Sequence, residues 1–528
     1  MKYLRAAAAL CLLVFMLTAC AKVPVPSEKD KTQIRLSDDV ILVNGKKAQT
    51  DSTADIYVAE DIVYYEQGKD FTYGEGSESD AHSAEEAAAH KVVHITKAGT
   101  YSLSGELSKG QIAIDLGKDA KENPEAVVTL ILDGADITCS VAPAIIFYNV
   151  YECGVADEET AQKDVDTTKA GANVIIADGT TNTVNGSYVA RIYEPGTVVL
   201  SEDGKEVEDA DKLHKYDGAF YSKMSMNICG EEKEDGVLNI NAENEGLDSE
   251  LHLTINGGYI NIRSGNDGIN TNEDNVSVTA INGGYLNIIV TGETGEGDGI
   301  DSNGWLVFNG GTTVTSACSK SADAGIDSDK GIYINGGTVI SSGHMLDRIE
   351  DGAQNYAVFT FDKTQSGKNS LQLKNDKDEE VCTTVPENDY SVFIYSAPAL
   401  TAGEYTLWCD GVRCEGFSSG MMQGQGMKPE GMEMPEGMEP PEDFERPEKP
   451  QGERPEWPEG EKPQMPEGME SPEGFERPEL PEGEFPEHAE GERPDMNMRP
   501  GNMGEAMGEV TDIFTLADKG NMFRVITQ

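Results

Sequence analysis

Positive charge is scarce in this chain. Lys and Arg total 41 against 95 Asp and Glu in 528 residues, a formal net charge of −54. That balance excludes direct binding to nucleic acid or to an anionic membrane surface, and it suits neutral polymers, or anionic ones reached through bridging cations. Cysteine is sparse too. Of the nine, Cys11 and Cys20 belong to an amino-terminal signal, leaving Cys139, Cys153, Cys229, Cys318, Cys382, Cys409 and Cys414. An odd remainder with no Cys-x-x-Cys spacing excludes a complete disulfide framework; Cys409 and Cys414 can pair, and the others read as core fillers. Stretches of at least ten residues with 3.6 periodicity are missing, which excludes helical repeats. There is also no Ser-His-Asp arrangement, no zinc-ligand spacing and no phosphate loop.

What is present is a repeat. Glycine returns at Gly230, Gly257, Gly283, Gly310 and Gly336, after gaps of 27, 26, 27 and 26 residues. From the second member the turn reads Ile255-Asn256-Gly257-Gly258, Ile281-Asn282-Gly283-Gly284, Phe308-Asn309-Gly310-Gly311 and Ile334-Asn335-Gly336-Gly337. Asn-Gly supplies the positive backbone dihedrals of a tight corner. Around each turn apolar residues alternate with polar ones, as in Leu251, Leu253 and Ile255 before and Ile260 and Ile262 after. Period two means strands, and a fixed period of 20 to 50 residues means a solenoid, so the chain reads as a parallel β-helix.

A second glycine series, Gly218, Gly246, Gly268, Gly299, Gly325 and Gly352, is flanked by acids. They are Asp217, Glu245 with Asp248, Asp267 with Asn270, Asp298 with Asp301, Asp323 with Asp327, and Asp351. Stacked coils lie about 4.8 Å apart, so these corners form a ridge of roughly 25 Å. Carboxylates that close splay into water, take up protons or hold cations. Ca²⁺ suits them, because it takes six to eight oxygen ligands in flexible geometry; the alternative is ordinary Asp-Gly turn chemistry with solvated charges. The step from acidic glycine to Asn-Gly-Gly is 12, 11, 15, 11 and 11 residues and the return step 16, 11, 16, 15 and 16, so insertions fall on defined loops.

His94 to Leu116, Val127 to Thr138 and Asn173 to Gly186 read as early, less regular coils, and Tyr193 to Leu213 as a polar hairpin. After Asp351, Tyr356 to Thr360, Ser370 to Leu373, Tyr390 to Tyr395 and Tyr405 to Cys409 read as antiparallel strands of a small sandwich or end cap. From about Gly420 to Gly508 the chain is Pro, Glu, Gly and Met, a composition that predicts disorder; Val510 to Thr527 regains strand character. Lys2 and Arg5 precede the apolar run Ala6 to Leu17, and Leu17-Thr18-Ala19-Cys20 fits a lipobox with Cys20 lipidated. No other stretch approaches the roughly 20 apolar residues of a membrane span. The expected division is a lipoprotein signal at 1–20, a linker and capping region at 21–90, the β-helix at 91–353, a small β domain at 354–419, the disordered segment at 420–508 and terminal strands at 509–528.

The order Gly99 to Gly105 (Gly-Thr-Tyr-Ser-Leu-Ser-Gly), Leu132 to Thr138, Thr181 to Val184 and Asp217 to Ala219, followed by the Ile-Asn-Gly-Gly and Asp-Gly-Ile-Asp repeats, resembles the clostridial carbohydrate-binding-domain-containing family of cell-surface β-helix proteins. The resemblance covers His94 to Ala353 and continues weakly to Trp408. It implies an all-β, right-handed parallel β-helix shaped like pectate lyases, Ca²⁺ on the coil corners, and binding to cellulose-like and pectin-like polysaccharides such as polygalacturonate. Ala324 departs from the pattern, standing before Gly325 where the other corners carry an acid. A lyase also needs a Lys or Arg base beside the uronate carboxylate; among Arg263, Lys320, Lys330 and Arg348, Lys320 is the weak candidate by position, with a solvated loop lysine as the plainer reading. The leading expectation is a monomeric, noncatalytic, Ca²⁺-dependent polysaccharide-binding lipoprotein, lipid-anchored at the extracellular face of the cell membrane, with Tyr259, Tyr285 and Trp305 as sugar-contact candidates. The alternatives are a pectate-lyase-like enzyme and a surface adhesin or scaffold.

Overall fold

The structure, a computed structural model, describes residues 31–418 and 510–527. Cys20 with its lipobox, and the Pro/Glu/Gly/Met-rich segment 420–508, lie outside the described residues. As expected, the described residues are nearly all β; the helices among them are the short Ala84–Ala88, closed by a Ser83/Glu86 capping box, and a single 3-10 turn at Lys118–Glu122.

From Gly218 onward successive coils give strands to three stacks, the first ending one coil before the other two. The first runs Gly218–Ser222, Glu245–Ser249, Ile269–Thr271 and Ile300–Ser302. The second runs Met226–Gly230, Leu253–Ile255, Val278–Ile281, Trp305–Phe308 and Ile332–Ile334. The third runs Val237–Ala242, Tyr259–Ser264, Tyr285–Val290, Thr312–Ser316 and Thr338–Gly343. Every strand pairs in parallel with its equivalent one coil away. Period-two alternation turns one set of side chains inward, and register stacks that set on itself. Phe220, Leu247, Ile269 and Ile300 form one buried column, and Ile228, Ile255, Ile281, Phe308 and Ile334 another. Each such side chain contributes about 1.5–3 kcal/mol by leaving water.

The early coils are parallel as well, but cornered differently. Val128–Cys139 is a single 12-residue strand that pairs first with Ala172–Ile176 and then with Thr181–Gly186. It bends at Gly134, where the buried Asn182 side chain accepts from the Gly134 and Ala135 amides at 2.8 and 2.9 Å, in place of an Asn-Gly-Gly turn. The stacks end where parallel pairing gives way: Ile56–Ala59 lies antiparallel on Lys91–Ile95, and Tyr390–Ser396 antiparallel on Thr338–Gly343. Beyond the latter a second core gathers Phe359, Phe393, Phe514 and Phe523. The carboxy-terminal Gly520–Ile526 strand enters it between Tyr356–Gln365 and Glu415–Ser418. Cys409 and Cys414 lie side by side as free thiols, 2.8 Å between sulfurs. The Tyr193 to Leu213 insertion is a hairpin, Val189–Tyr193 antiparallel to Lys212–Tyr216, and its return strand delivers Lys215 and Asp217 to the first stack.

The Asn-Gly-Gly corner divides its work among three residues. The second glycine alone has positive φ, as at Gly284 (82°) and Gly311 (74°). The first is needed for approach: a Cβ on Gly310 would sit 2.4 Å from the Asn282 carbonyl oxygen. The asparagines form an amide ladder in which Asn282, Asn309 and Asn335 each donate to the asparagine one coil back, at 2.9 to 3.0 Å.

Alanine at two glycines of positive φ separates these roles. At Gly179 a Cβ meets open space, so Gly179→Ala loses only the dihedral preference, about 1–2 kcal/mol. At Gly284 the Cβ would also meet the Gly258 oxygen at 2.5 Å, so Gly284→Ala loses about 2–5 kcal/mol in denaturant unfolding.

Candidate metal centre

Acid-glycine corners arise where the third stack turns into the first. Glycine is required there because neighbouring coils almost touch: a Cβ on Gly268 would lie 2.6 Å from the Gly299 carbonyl oxygen. Strand register then aligns the residues just past each corner. Tyr221, Asp248, Asn270 and Asp301 occupy equivalent positions in four successive coils. The isoleucines within the motif, Ile269 and Ile300, are fully buried on the inward side.

At the upstream end of this row Asp217, Glu245 and Asp248 each bring a carboxylate oxygen within 4.8 Å of the other two, a buried acidic group that can hold a metal ion. Glu245 is 6 % exposed and Asp248 0 %. Some of the donors are supplied by protein: Lys215 Nζ binds Asp217 at 2.6 Å, Asn270 Nδ2 donates to Glu245 Oε1 at 3.1 Å, and Asn272 Nδ2 to Asp248 Oδ1 at 2.7 Å. The remaining acceptors, Glu245 Oε2, Asp248 Oδ2 and Asn270 Oδ1, are buried without a hydrogen-bond partner. An orphaned buried acceptor costs about 1–3 kcal/mol, more when charged. All three are oxygens, and with the Asp217, Glu245 and Asp248 carboxylates they make a donor set that suits a hard divalent cation and not a thiophilic one. Beside them opens a cavity of about 380 Å³ lined by Lys212, Lys215, Asp217, Glu250, Asn272, Glu273, Asp274 and Asn303.

Electrostatics repeat the demand for a cation. Burial, then Asp248 and Asp217, push the Glu245 carboxyl far above its usual range; burial, then Asp217 and Glu250, do the same to Asp248. Burial also raises Asp217, against the pull of Lys215. Downstream, burial followed by neighbouring carboxylates raises Asp298 to about 9 and Asp301 and Asp327 to about 7. Asp267 is raised to about 7 by burial, with Asp323 and Glu296 adding, although the Asp298 amide donates to it at 2.6 Å.

The remaining expected residues fall in two groups. Ala324, the departure from the acidic pattern, gives its backbone N–H to Asp298 Oδ1 at 2.5 Å, while Asp323 accepts from Gly297 N at 2.8 Å and binds Ser321. Asp351 stands outside the row, its side chain 81 % exposed and 3.8 Å from Lys519; Asp347 continues the row instead, raised by burial and acting on both Asp301 and Asp327. Lys320 donates to the Gly292 carbonyl at 2.5 Å, so the lysines at the acidic group are Lys212 and Lys215. Sequence reasoning misses Lys215, Asn272 and Asp347. For the first two a signal exists, since Lys215 is two residues from Asp217 and Asn272 two from Asn270, and period two places such pairs on one face. Asp347 follows an irregular loop and carries none.

These shifts fix the sign of a pH dependence for cation-free protein. The unfolded carboxylates titrate near about 4, so between that pH and about 9 the native state holds more protons than the unfolded one. The contribution of these carboxylates is therefore full below the unfolded value and falls as pH rises through about 7 and about 9. Carboxylates lowered by hydrogen bonds, such as Asp38 bound to Ser108, act only at the acid end and leave this window untouched. In chelator the melting temperature is expected to be lower at about pH 8.5 than at about pH 5.5, and Asp298→Asn to flatten the slope; a melting temperature that rises with pH in chelator contradicts the assignment.

The family match spans the same segment of chain. The family model for carbohydrate-binding domain-containing proteins matches residues 89–371, more than half of the sequence. A carbohydrate-binding domain-containing protein of Acetivibrio thermocellus is 30% identical over 179 residues, covering 34% of this chain and 47% of that protein, so the chain spans about half the length of the curated relative it matches. Among solved structures, the polysaccharide lyase-like protein from C. thermocellum, in its gadolinium derivative, is similar at 20% identity and a TM-score of 0.32, over 58% of this chain and 93% of that one. On the span of the family match, the chain belongs to the carbohydrate-binding domain-containing protein family.

Proposed function

We propose that the chain is a right-handed parallel β-helix that binds polysaccharide noncatalytically and depends on Ca²⁺ to do so. The observation that carries the calcium reading is the set of orphaned buried oxygens on Glu245, Asp248 and Asn270 beside Asp217. These residues would hold one ion, with Asp267, Asp298, Asp301, Asp323 and Asp327 as the ligand supply further along. Bound Ca²⁺ would neutralise the row and offer open coordination to sugar hydroxyl or uronate oxygens. Family membership supports a carbohydrate partner. The amino-terminal lipobox supports export and anchoring through Cys20 at the extracellular face of the membrane, with the β-helix at 91–353 followed by a small β domain at 354–419. A monomer is the proposed state.

A lyase reading is weaker because the basic groups near the corners are engaged. Lys215 is held by Asp217 and Lys320 by the Gly292 carbonyl. Protein lacking residues 1–20, mixed with insoluble cellulose and with polygalacturonate in Ca²⁺ or in chelator, is expected to be retained only with Ca²⁺ and to release no unsaturated product. Product would move the chain to the lyases, and no retention on any polymer would leave the adhesin or scaffold reading. Removing the Asn272 amide that orients Asp248 tests the site separately: Asn272→Ala is expected to weaken Ca²⁺ binding by about 10–100-fold in calorimetric titration.

A further inference from the structure

The outer face of the third stack has the opposite chemistry to the acidic row. On the strands Thr181–Gly186, Val237–Ala242, Tyr259–Ser264, Tyr285–Val290, Thr312–Ser316 and Thr338–Gly343 the outward residues form three rows along the stacking direction. Arg263 is the one charged residue at those positions, in a chain with 95 acids. The rest are Thr, Ser, Asn, Tyr and aliphatic side chains. Amides run along the middle row, Asn261 Nδ2 donating to Asn239 Oδ1 at 2.9 Å.

One row carries an aromatic pair. Tyr259 and Tyr285 stack with ring centroids 4.5 Å apart and planes 15° from parallel. Tyr259 thus covers one face of the Tyr285 ring and fixes its orientation. The next residue in the row is Thr312, too small to cover the other face. There a trough of about 330 Å³ begins, floored by Asn287, Thr312, Val314 and Ile340 and walled by the segment Thr383 to Glu387. The wall is fastened down, because Asn388 donates to the Val290 and Ala317 carbonyls at 2.6 and 2.7 Å. The volume is that of a small-ligand site, and the lining combines an open aromatic face, amide groups and an apolar floor.

We infer that this trough is a subsite for an uncharged sugar residue of a polysaccharide, the pyranose C–H face lying on Tyr285 and its hydroxyls reaching Asn287 and Thr312. The inference rests on the polysaccharide-binding reading and adds a place and a sugar class to it. Charge selects the occupant: with Arg263 as its one cation the face offers an anionic polymer little on a strongly negative protein, and the trough offers a peptide partner a single charge, Glu387. The trough has no metal ligand of its own and depends on Ca²⁺ only through the coils that carry it, so the protein has two chemically distinct surfaces, one for neutral residues and one at the acidic row.

The test uses the protein lacking residues 1–20, with Ca²⁺ present throughout, and reads depletion isotherms on microcrystalline cellulose as the neutral probe and retention on polygalacturonate as the anionic one. Tyr285→Ala and Val314→Arg are each expected to weaken cellulose binding by about tenfold, while polygalacturonate retention is unchanged. Tyr285→Phe keeps the ring and is expected to bind as wild type, which separates stacking from a general loss of fold. Wild-type cellulose binding in both Tyr285→Ala and Val314→Arg overturns the subsite. Wild-type protein that binds polygalacturonate but not cellulose also overturns it, while leaving the metal-dependent reading intact; binding to neither polymer overturns both.

Discussion

A strand of three to six residues in this fold has no partner within its own coil. Its amides and carbonyls are satisfied only by the equivalent strand one coil away, in register and about 4.8 Å distant. That single constraint places each side chain directly on its counterpart. Whatever residue type the repeat carries is multiplied into a column, and the physics of like on like decides what the column does. Isoleucine on isoleucine makes the core. Asparagine on asparagine makes a ladder, since an amide both donates and accepts. Aspartate on aspartate has no such solution, and burial sharpens the conflict.

The two outward surfaces are opposite answers to this multiplication. On the first stack the repeat places acids at each corner, and the column becomes a demand for protons or cations. On the third stack it places Thr, Asn, Tyr and aliphatic residues, and the column becomes a neutral, hydrogen-bonding strip. Because both are written into one repeat, they run side by side along the same coils.

The repeating elements are legible in the sequence because repetition amplifies weak signals. Period-two alternation around Ile255 and Ile281, and the recurring Asn-Gly-Gly, are enough to place strands and turns. Legibility stops where the structure uses a different device for the same task. The early corner at Gly134 is held by a side chain, Asn182, distant in sequence, so its turn has no local signature. At the regular corners Asn-Gly reads as the source of the positive dihedrals, whereas the second glycine takes the positive φ and the asparagine serves the ladder. Within the acidic row the motif marks position but not depth. Asp351 looks like the other corners yet points to solvent, and Asp347, which carries no motif, takes its place. Burial depends on which loop covers a corner, and a single chain does not encode that in any short window.

The row is neutralised unevenly, and this sets where a cation is most needed. At its upstream end the protein helps itself: Lys215 meets Asp217, Asn270 interrupts the succession from Asp248 to Asp301, and Asn272 donates to Asp248. Downstream, the leading influences on Asp267, Asp298, Asp301 and Asp327 are burial, other carboxylates and backbone amides, with no basic side chain among them. Backbone N–H groups, as from Asp298 and Ala324, stabilise single oxygens but carry no net charge to offset the accumulated repulsion. The upstream group thus joins three carboxylates within 4.8 Å of one another to buried oxygens that lack a partner, whereas the downstream stretch needs positive charge without a single focus. On the proposed calcium reading, an ion at the first site would be held by ligand geometry and would resist salt, whereas ions along the second would respond to pH and ionic strength, because protons and screening satisfy the same requirement.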